Sequence, residues 1–288
     1  SIGFASSIHE FGGKLNIDNL PAIWKCKEAC HLLGIDYGSA SGVIAFAMEL
    51  YQRGILTRKE TDGLLLNWGD DDVVLELLRK IAYREGIGDI LADGSLKAAQ
   101  RIGQGTEKYA MTIKGLEMMW TDPRSAPKGW ALAYLLSPRG GDNVKTAHTI
   151  RLGEPAAGWG IEKFDMPQGI KNRIYGVPAK IEPLSYKGKA MMVKWVSHTC
   201  SAVSAAGGCI FPVTRMGMGA TYFSKLVAAA TGWDITPGGF TLIGERIFNL
   251  MRLYLVREGL SRKDDDFPAR FYSEPLPEGP AKGAKLSR

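Results

Sequence analysis

A mainly helical chain of two domains with few strands is the fold the sequence predicts, and three observations predict it. Apolar residues recur at helical spacing in segment after segment, while the Val, Ile and Tyr alternation of strands is thin throughout. The 288 residues suffice for two domains, each with its own core. Between about Tyr109 and Tyr186 the periodicity lapses into proline-containing loops before helical pattern returns. The expected division is into residues 1–112 and 113–288.

The first clear helix is read in "DNLPAIWKCKEACHLLG". Asp18 or Asn19 caps it, Pro21 suits its first turn, and Gly34 stops it. Ile23, Cys26, Cys30 and Leu33 give it one apolar face. A small-residue turn, "GIDYGSASG", leads into a second helix expected over roughly Val43–Arg53. A third is expected from Asp71 to Arg84, its start marked by the charge cluster "GDDD" and its inner side by Val74, Leu77, Leu78 and Ile81. "GIGDILADGSLKAAQRIG" reads as one more, interrupted at Gly94. Beyond the loops, "GKAMMVKWVSHTCSAV", "ATYFSKLVAAATG" and "GGFTLIGERIFNLMRLYLVREGL" are helical. "REGLSRKDDDFPARF" reads as a solvated helix end.

Composition excludes several classes. A formal charge of +6 from scattered basic residues argues against nucleic acid as a partner, and apolar runs such as "SGVIAFAMEL" fall short of a membrane span. Four cysteines are too few for a disulfide scaffold and fit a reducing, cytoplasmic location. No Walker loop, Ser-His-Asp order or Cys-x2-Cys pair is present. The opening at Ser1 without methionine and the Pro/Gly-rich end "EPLPEGPAKGAKLSR" predict a piece of a longer protein.

Candidate chemistry gathers in three places. Cys26 and Cys30 lie one helical turn apart, so that with Cys200 and Cys209 they make four thiolates for a metal, or else two buried packing residues. Cys209, behind two glycines in "CSAVSAAGGCIFPV", reads equally as a buried thiol or a ligand. "SPRGGDNVKTAH" concentrates Arg139, Asp142, Asn143, Lys145 and His148, which reads as a pocket lining or a solvated loop. His9 and His148, expected in loops, are candidates for acid–base work, whereas His198 is expected to be a satisfied core or surface residue. One internal echo stands out: "HLLGID" (His31 to Asp36) and "SAAGGC" (Ser204 to Cys209) share a template around Gly34 and Gly207, each after a helix.

Several segments, in one order along nearly the whole chain, resemble the tungsten-dependent aldehyde:ferredoxin oxidoreductase family. They are "GIDYGSASGVIAFAMELYQRGILT", "GDDDVVLELLRKIAYREGIGDILADG", "IKGLEMMWTDPR", "SPRGGDNVK" and "NLMRLYLVREGLSRKDDDFPARFYSEPLPEGP". The resemblance implies that the chain is the family's second and third domains, both helical, without the N-terminal β-rich domain. It implies an enzyme that oxidises an aldehyde to a carboxylic acid at a tungsten held by two pterin dithiolenes, molybdenum being the alternative metal. A [4Fe–4S] cluster would pass electrons to ferredoxin or another electron-transfer protein, within a homodimer or a complex with electron-transfer subunits.

By the same resemblance the pterin-gripping motifs fall on "HLLGID" and "SAAGGC". His31, Gly34, Asp36, Tyr37, Ser204, Gly207, Cys209 and Ile210 would contact cofactor, and Cys209 would also bind cluster iron. His31 and Ser204 stand where the family has aspartates, and Asn143 stands where it has a histidine. Asn143, His148 and His9 are the expected catalytic residues, with Lys145 beside the cofactor. Two other functions follow from these departures: a divergent member reducing an aromatic acyl-CoA, or a helical fragment that has lost its cofactor and catalysis.

Overall fold

The computed structural model describes residues 5–119, 121–142, 165–180, 182, 184–210, 212–213 and 217–287. It is mainly helical, and it divides into two compact units: residues 1–121 with 267–274, and residues 122–266 with 275–288.

In the first unit, α1 (Ala5–Ser7) runs into a π-helical segment, Ile8–Gly13. There follow α2 (Leu20–Leu33), α3 (Tyr37–Gln52), α4 (Asp71–Tyr83), α5 (Ile87–Leu91) and α6 (Ser95–Ile102). Pro21 lies in the first turn of α2 and Asn19 is its N-cap, but the Asn19 amide donates to Asp71 Oδ2 at 3.4 Å instead of capping. Helix α3 begins six residues before the expected Val43, because Asp36 Oδ1 accepts the Ser39 N–H at 2.8 Å and starts the helix among small residues. Asp70 caps α4 through Val73 N–H at 3.1 Å, and Val74, Leu77, Leu78 and Ile81 are buried as expected. Each such side chain contributes roughly 1.5–3 kcal/mol by leaving water. Gly94 does interrupt the next helical stretch, dividing α5 from α6.

The two strands among the described residues are β1 (Thr112–Ile113) and β2 (Leu116–Glu117), an antiparallel pair. This hairpin lies in the first unit, where Glu117 accepts from Ser95 N–H at 2.6 Å and Ser95 Oγ at 2.9 Å. A buried carboxylate from one element thus caps the start of α6 in another. The segment 267–274, with α12 (Arg270–Ser273), belongs to the same unit: Arg270 Nη1 donates to Glu49 Oε2 at 3.0 Å.

The second unit holds α7 (Lys128–Leu136), α8 (Gln168–Tyr175), α9 (Lys189–Ala205), α10 (Ala220–Thr231) and α11 (Pro237–Arg257). Helix α9 packs against α11 and α7, and α10 packs against α11. The α9–α11 crossing is close because residue 244 is glycine: a Cβ there would collide with the His198 carbonyl. Asp165 fixes the start of α10 by accepting from Gly219 N–H (3.1 Å), Thr221 N–H (2.7 Å) and Thr221 Oγ1 (2.7 Å). Among the described residues, no helix is long and apolar enough to cross a membrane.

Candidate cofactor site

One candidate cofactor contact, in the first unit, is the turn between α2 and α3. Gly34 ends α2 in the left-handed conformation (φ 70°), and Ile35 N–H donates to Cys30 O at 3.0 Å. His31, Gly34 and Asp36 are exposed along this turn. Asp36 spends Oδ1 on the α3 cap; its other oxygen makes no hydrogen bond among the described residues. Tyr37 opens α3, with its hydroxyl 2.9 Å from Ser6 Oγ and its ring edge-on to His31 at 6.4 Å.

His9 does not lie in the loop expected for it. The π-helical segment carries it, exposed, next to the fully buried Glu10. π-Helical turns cluster at functional sites because they displace side chains from α-helical register. Here the segment packs on α2 and α3. Glu10 pairs with Lys14, and its Oε2 lies 2.8 Å from Ser41 Oγ. Lys14 Nζ also donates to Ser41 Oγ and to the Met118 carbonyl, each at 3.2 Å. A charged network therefore ties the His9 segment to α3 and to the hairpin end.

A separate candidate contact, in the second unit, is the end of α9. Gly207 is left-handed (φ 78°), its N–H donates to Ser204 O at 3.1 Å, and Gly208 N–H donates to Val203 O at 2.9 Å. Gly34 and Gly207 thus occupy one turn type, with the same bond from the following residue back five positions, and the sequence echo is a structural one. Ser204 is half-buried, Cys209 exposed and Ile210 buried. One helical turn before Ser204, Ser201 Oγ is buried with no hydrogen-bond partner among the described residues, as is Ser137 Oγ at the end of α7. Both were missed from sequence; the Ser197, Ser201, Ser204 spacing along α9 was the available signal.

Asn143, Lys145 and His148 lie outside the described residues. The loop that leads to Asn143 is seen as far as Asp142, which is buried and ion-paired to Arg139 Nη2 at 2.6 Å.

Of the two readings of Cys26 and Cys30, core packing is the one observed. Cys26, Cys30 and Cys200 have no exposed surface, and burial pushes all three thiols up to about 12, so they stay protonated and pack as apolar groups. Among the described residues, no three His, Cys, Asp or Glu side chains are grouped for a metal ion. His198 is a core residue as expected: its ring is 5.9 Å from Phe248, and its Nδ1 is 3.5 Å from Glu245 Oε2.

Each turn, taken by itself, has the features that suit a flat heterocycle such as a pterin. A Cβ added at Gly34 or Gly207 would meet nothing within 4 Å, so both turns leave open space above the backbone. Helix C-termini present carbonyl oxygens at the negative end of the dipole, which suits the N–H edge of a flat heterocycle. His31 and Asp36 Oδ2 add polar partners at the first turn, and Ser204 at the second. For an iron–sulfur cluster the described residues offer one exposed thiol, Cys209.

The fold has a counterpart among solved structures. The fold matches that of the active-site complex BamBC of benzoyl coenzyme A reductase, solved in complex with 1,5-dienoyl-CoA. The TM-score is 0.72 at 22% identity, over 96% of this chain and 44% of that one. The family follows from sequence: residues 6–288 match the model for aldehyde ferredoxin oxidoreductase, domains 2 and 3, and the chain belongs to that family. It is 36% identical to the tungsten-containing aldehyde ferredoxin oxidoreductase of Pyrococcus furiosus and 35% identical to that of Thermococcus kodakarensis. Each match takes in 280 residues, 96% of this chain and 42% of the relative. The WOR-like subunit of an aliphatic sulfonate oxidoreductase from P. furiosus is 35% identical over 271 residues, 89% of this chain and 36% of that relative. The chain thus spans about two fifths of the length of these relatives.

Proposed function

We propose that this chain is the helical part of a tungsten-dependent oxidoreductase that converts an aldehyde to its carboxylic acid. Water supplies the added oxygen, two protons are released, and two electrons pass one at a time through a [4Fe–4S] cluster to ferredoxin. The observation that carries the reading is the pair of matching open turns at Gly34 and Gly207, in a chain of this family. Tungsten bound by two pterins would supply the two-electron couple and Lewis acidity.

The chain's own residues would hold and orient. His31 and Asp36 Oδ2 from one turn, and Ser204 from the other, would accept pterin N–H groups, with Tyr37 and Ile210 flanking them. A neutral hydroxyl at Ser204 makes a weaker bond than a carboxylate. Cys209 would ligate one cluster iron. Lys145 and Asn143 would orient the substrate carbonyl, and His148 or His9 would take the proton that Asn143 is unable to carry.

Asn143 favours a second reading, reduction of an aromatic acyl-CoA by the same cofactors. The test is dye-linked turnover by the full-length protein purified anaerobically. Aldehyde-dependent reduction of a viologen supports the first reading. Benzoyl-CoA-dependent oxidation of the reduced dye, without aldehyde activity, overturns it in favour of the second. A protein without either metal is the helical, non-catalytic alternative.

A further inference from the structure

Between α7 and α11 of the second unit lies a cleft of about 460 Å³, within the range of small-molecule sites. Leu132, Leu135 and Leu136 wall it on one side, and Phe248, Met251 and Leu255 on the other. Leu136 is 37% exposed and the other five are half-buried, so the packed unit leaves apolar surface facing this space.

The charged residues of the wall differ in their commitments. Arg252 is engaged: its Nη1 and Nη2 donate to the two carboxylate oxygens of Asp265 at 2.9 and 2.7 Å. Arg262 also lines the cleft, is exposed, and makes no ion pair among the described residues. Its backbone is held in place all the same. It opens a 3-10 turn, Arg262–Asp264, fixed when Asp264 Oδ2 accepts from Ser261 N–H at 2.6 Å and from Ser261 Oγ at 3.0 Å. An apolar cleft with a single uncommitted guanidinium calls for a ligand with an apolar tail and one anionic head.

We propose that this cleft binds a medium-chain aliphatic carboxylate, its tail between α7 and α11 and its carboxylate on Arg262. None of the residues named here for the cleft belongs to the turns at Gly34 and Gly207, and binding does not depend on the redox reaction. Calorimetric titration of the full-length protein with decanoate, and with decan-1-ol as the uncharged control, tests it.

Saturable one-to-one decanoate binding is expected, with decan-1-ol at least about tenfold weaker, the order of one charge-assisted contact. Arg262→Gln should weaken decanoate by a similar factor and leave decan-1-ol unchanged, while Arg262→Lys should retain most of the decanoate affinity. Because Arg262 is exposed and makes no ion pair among the described residues, neither substitution threatens the fold. Failure of decanoate to bind, equal binding of the alcohol, or unchanged affinity in Arg262→Gln would each overturn the proposal.

Discussion

Gly34 and Gly207 close two helices in different units by the same turn. Both are left-handed, at φ 70° and 78°, and the residue after each bonds back to Cys30 O at 3.0 Å or Val203 O at 2.9 Å. A side chain at either position meets no neighbour, so substitution by alanine costs only the left-handed backbone penalty, about 1–2 kcal/mol. Gly208→Ala is different, because its Cβ would stand 2.9 Å from Val203 Cγ1 and 3.1 Å from Phe223 Cε1. Chemical denaturation should therefore show Gly34→Asn and Gly207→Asn as milder than the alanine variants, and no such relief for Gly208→Asn. Equal losses for Asn and Ala at Gly34 would show that something other than backbone conformation is being measured.

Glu117 is buried at the start of α6 and accepts two hydrogen bonds from Ser95. Removing it strands a backbone N–H and a hydroxyl away from water, at a cost of about 1–3 kcal/mol. Thermal melting of Glu117→Ala should show that loss, and Glu117→Gln a smaller one, since its amide oxygen still accepts. An alanine variant as stable as the parent would mean that the cap contributes nothing.

The cysteines should separate cleanly by reactivity. Cys26, Cys30 and Cys200 are buried with thiols raised to about 12, whereas Cys209 is exposed. In protein stripped of metal, mass spectrometry after brief alkylation should find Cys209 labelled first and the other three only after denaturation. Labelling of Cys26 or Cys30 at the rate of Cys209 would contradict their core placement.

His198 should make stability fall in mild acid. Burial holds its imidazole below the ordinary value near 6.5, against the opposing pull of Glu245, so the folded state resists protonation that the unfolded state accepts. The contribution is intact above about pH 6.5 and is lost as pH falls from there through the folded-state value. Replacing His198 by Gln should flatten this part of the stability–pH curve. An unchanged slope in that variant would place the acid sensitivity elsewhere.

Much of this molecule could be read from local signals. Pro21 and Gly34 bracket α2, Asp70 caps α4, Gly94 divides α5 from α6, and the echo around Gly34 and Gly207 marks two real turns. What stayed hidden depends on residues far apart in sequence. Glu117 capping α6 crosses 22 residues, and Lys14 reaching the Met118 carbonyl crosses 104. The π-helical register that presents His9 while burying Glu10 has no period that hydrophobicity alone reveals. The cysteines show the same limit: helical spacing of Cys26 and Cys30 suits a metal or a core equally, and only burial decides.

The central claim is that these two turns grip a metal-bearing cofactor and that Cys209 reaches an iron. Tungsten and iron content of the full-length protein, measured by inductively coupled plasma mass spectrometry on anaerobically purified material, tests it most directly. Both metals should be present in the parent, and Cys209→Ala should lose iron. Absence of both metals from the parent, or an unchanged iron content in Cys209→Ala, would contradict it.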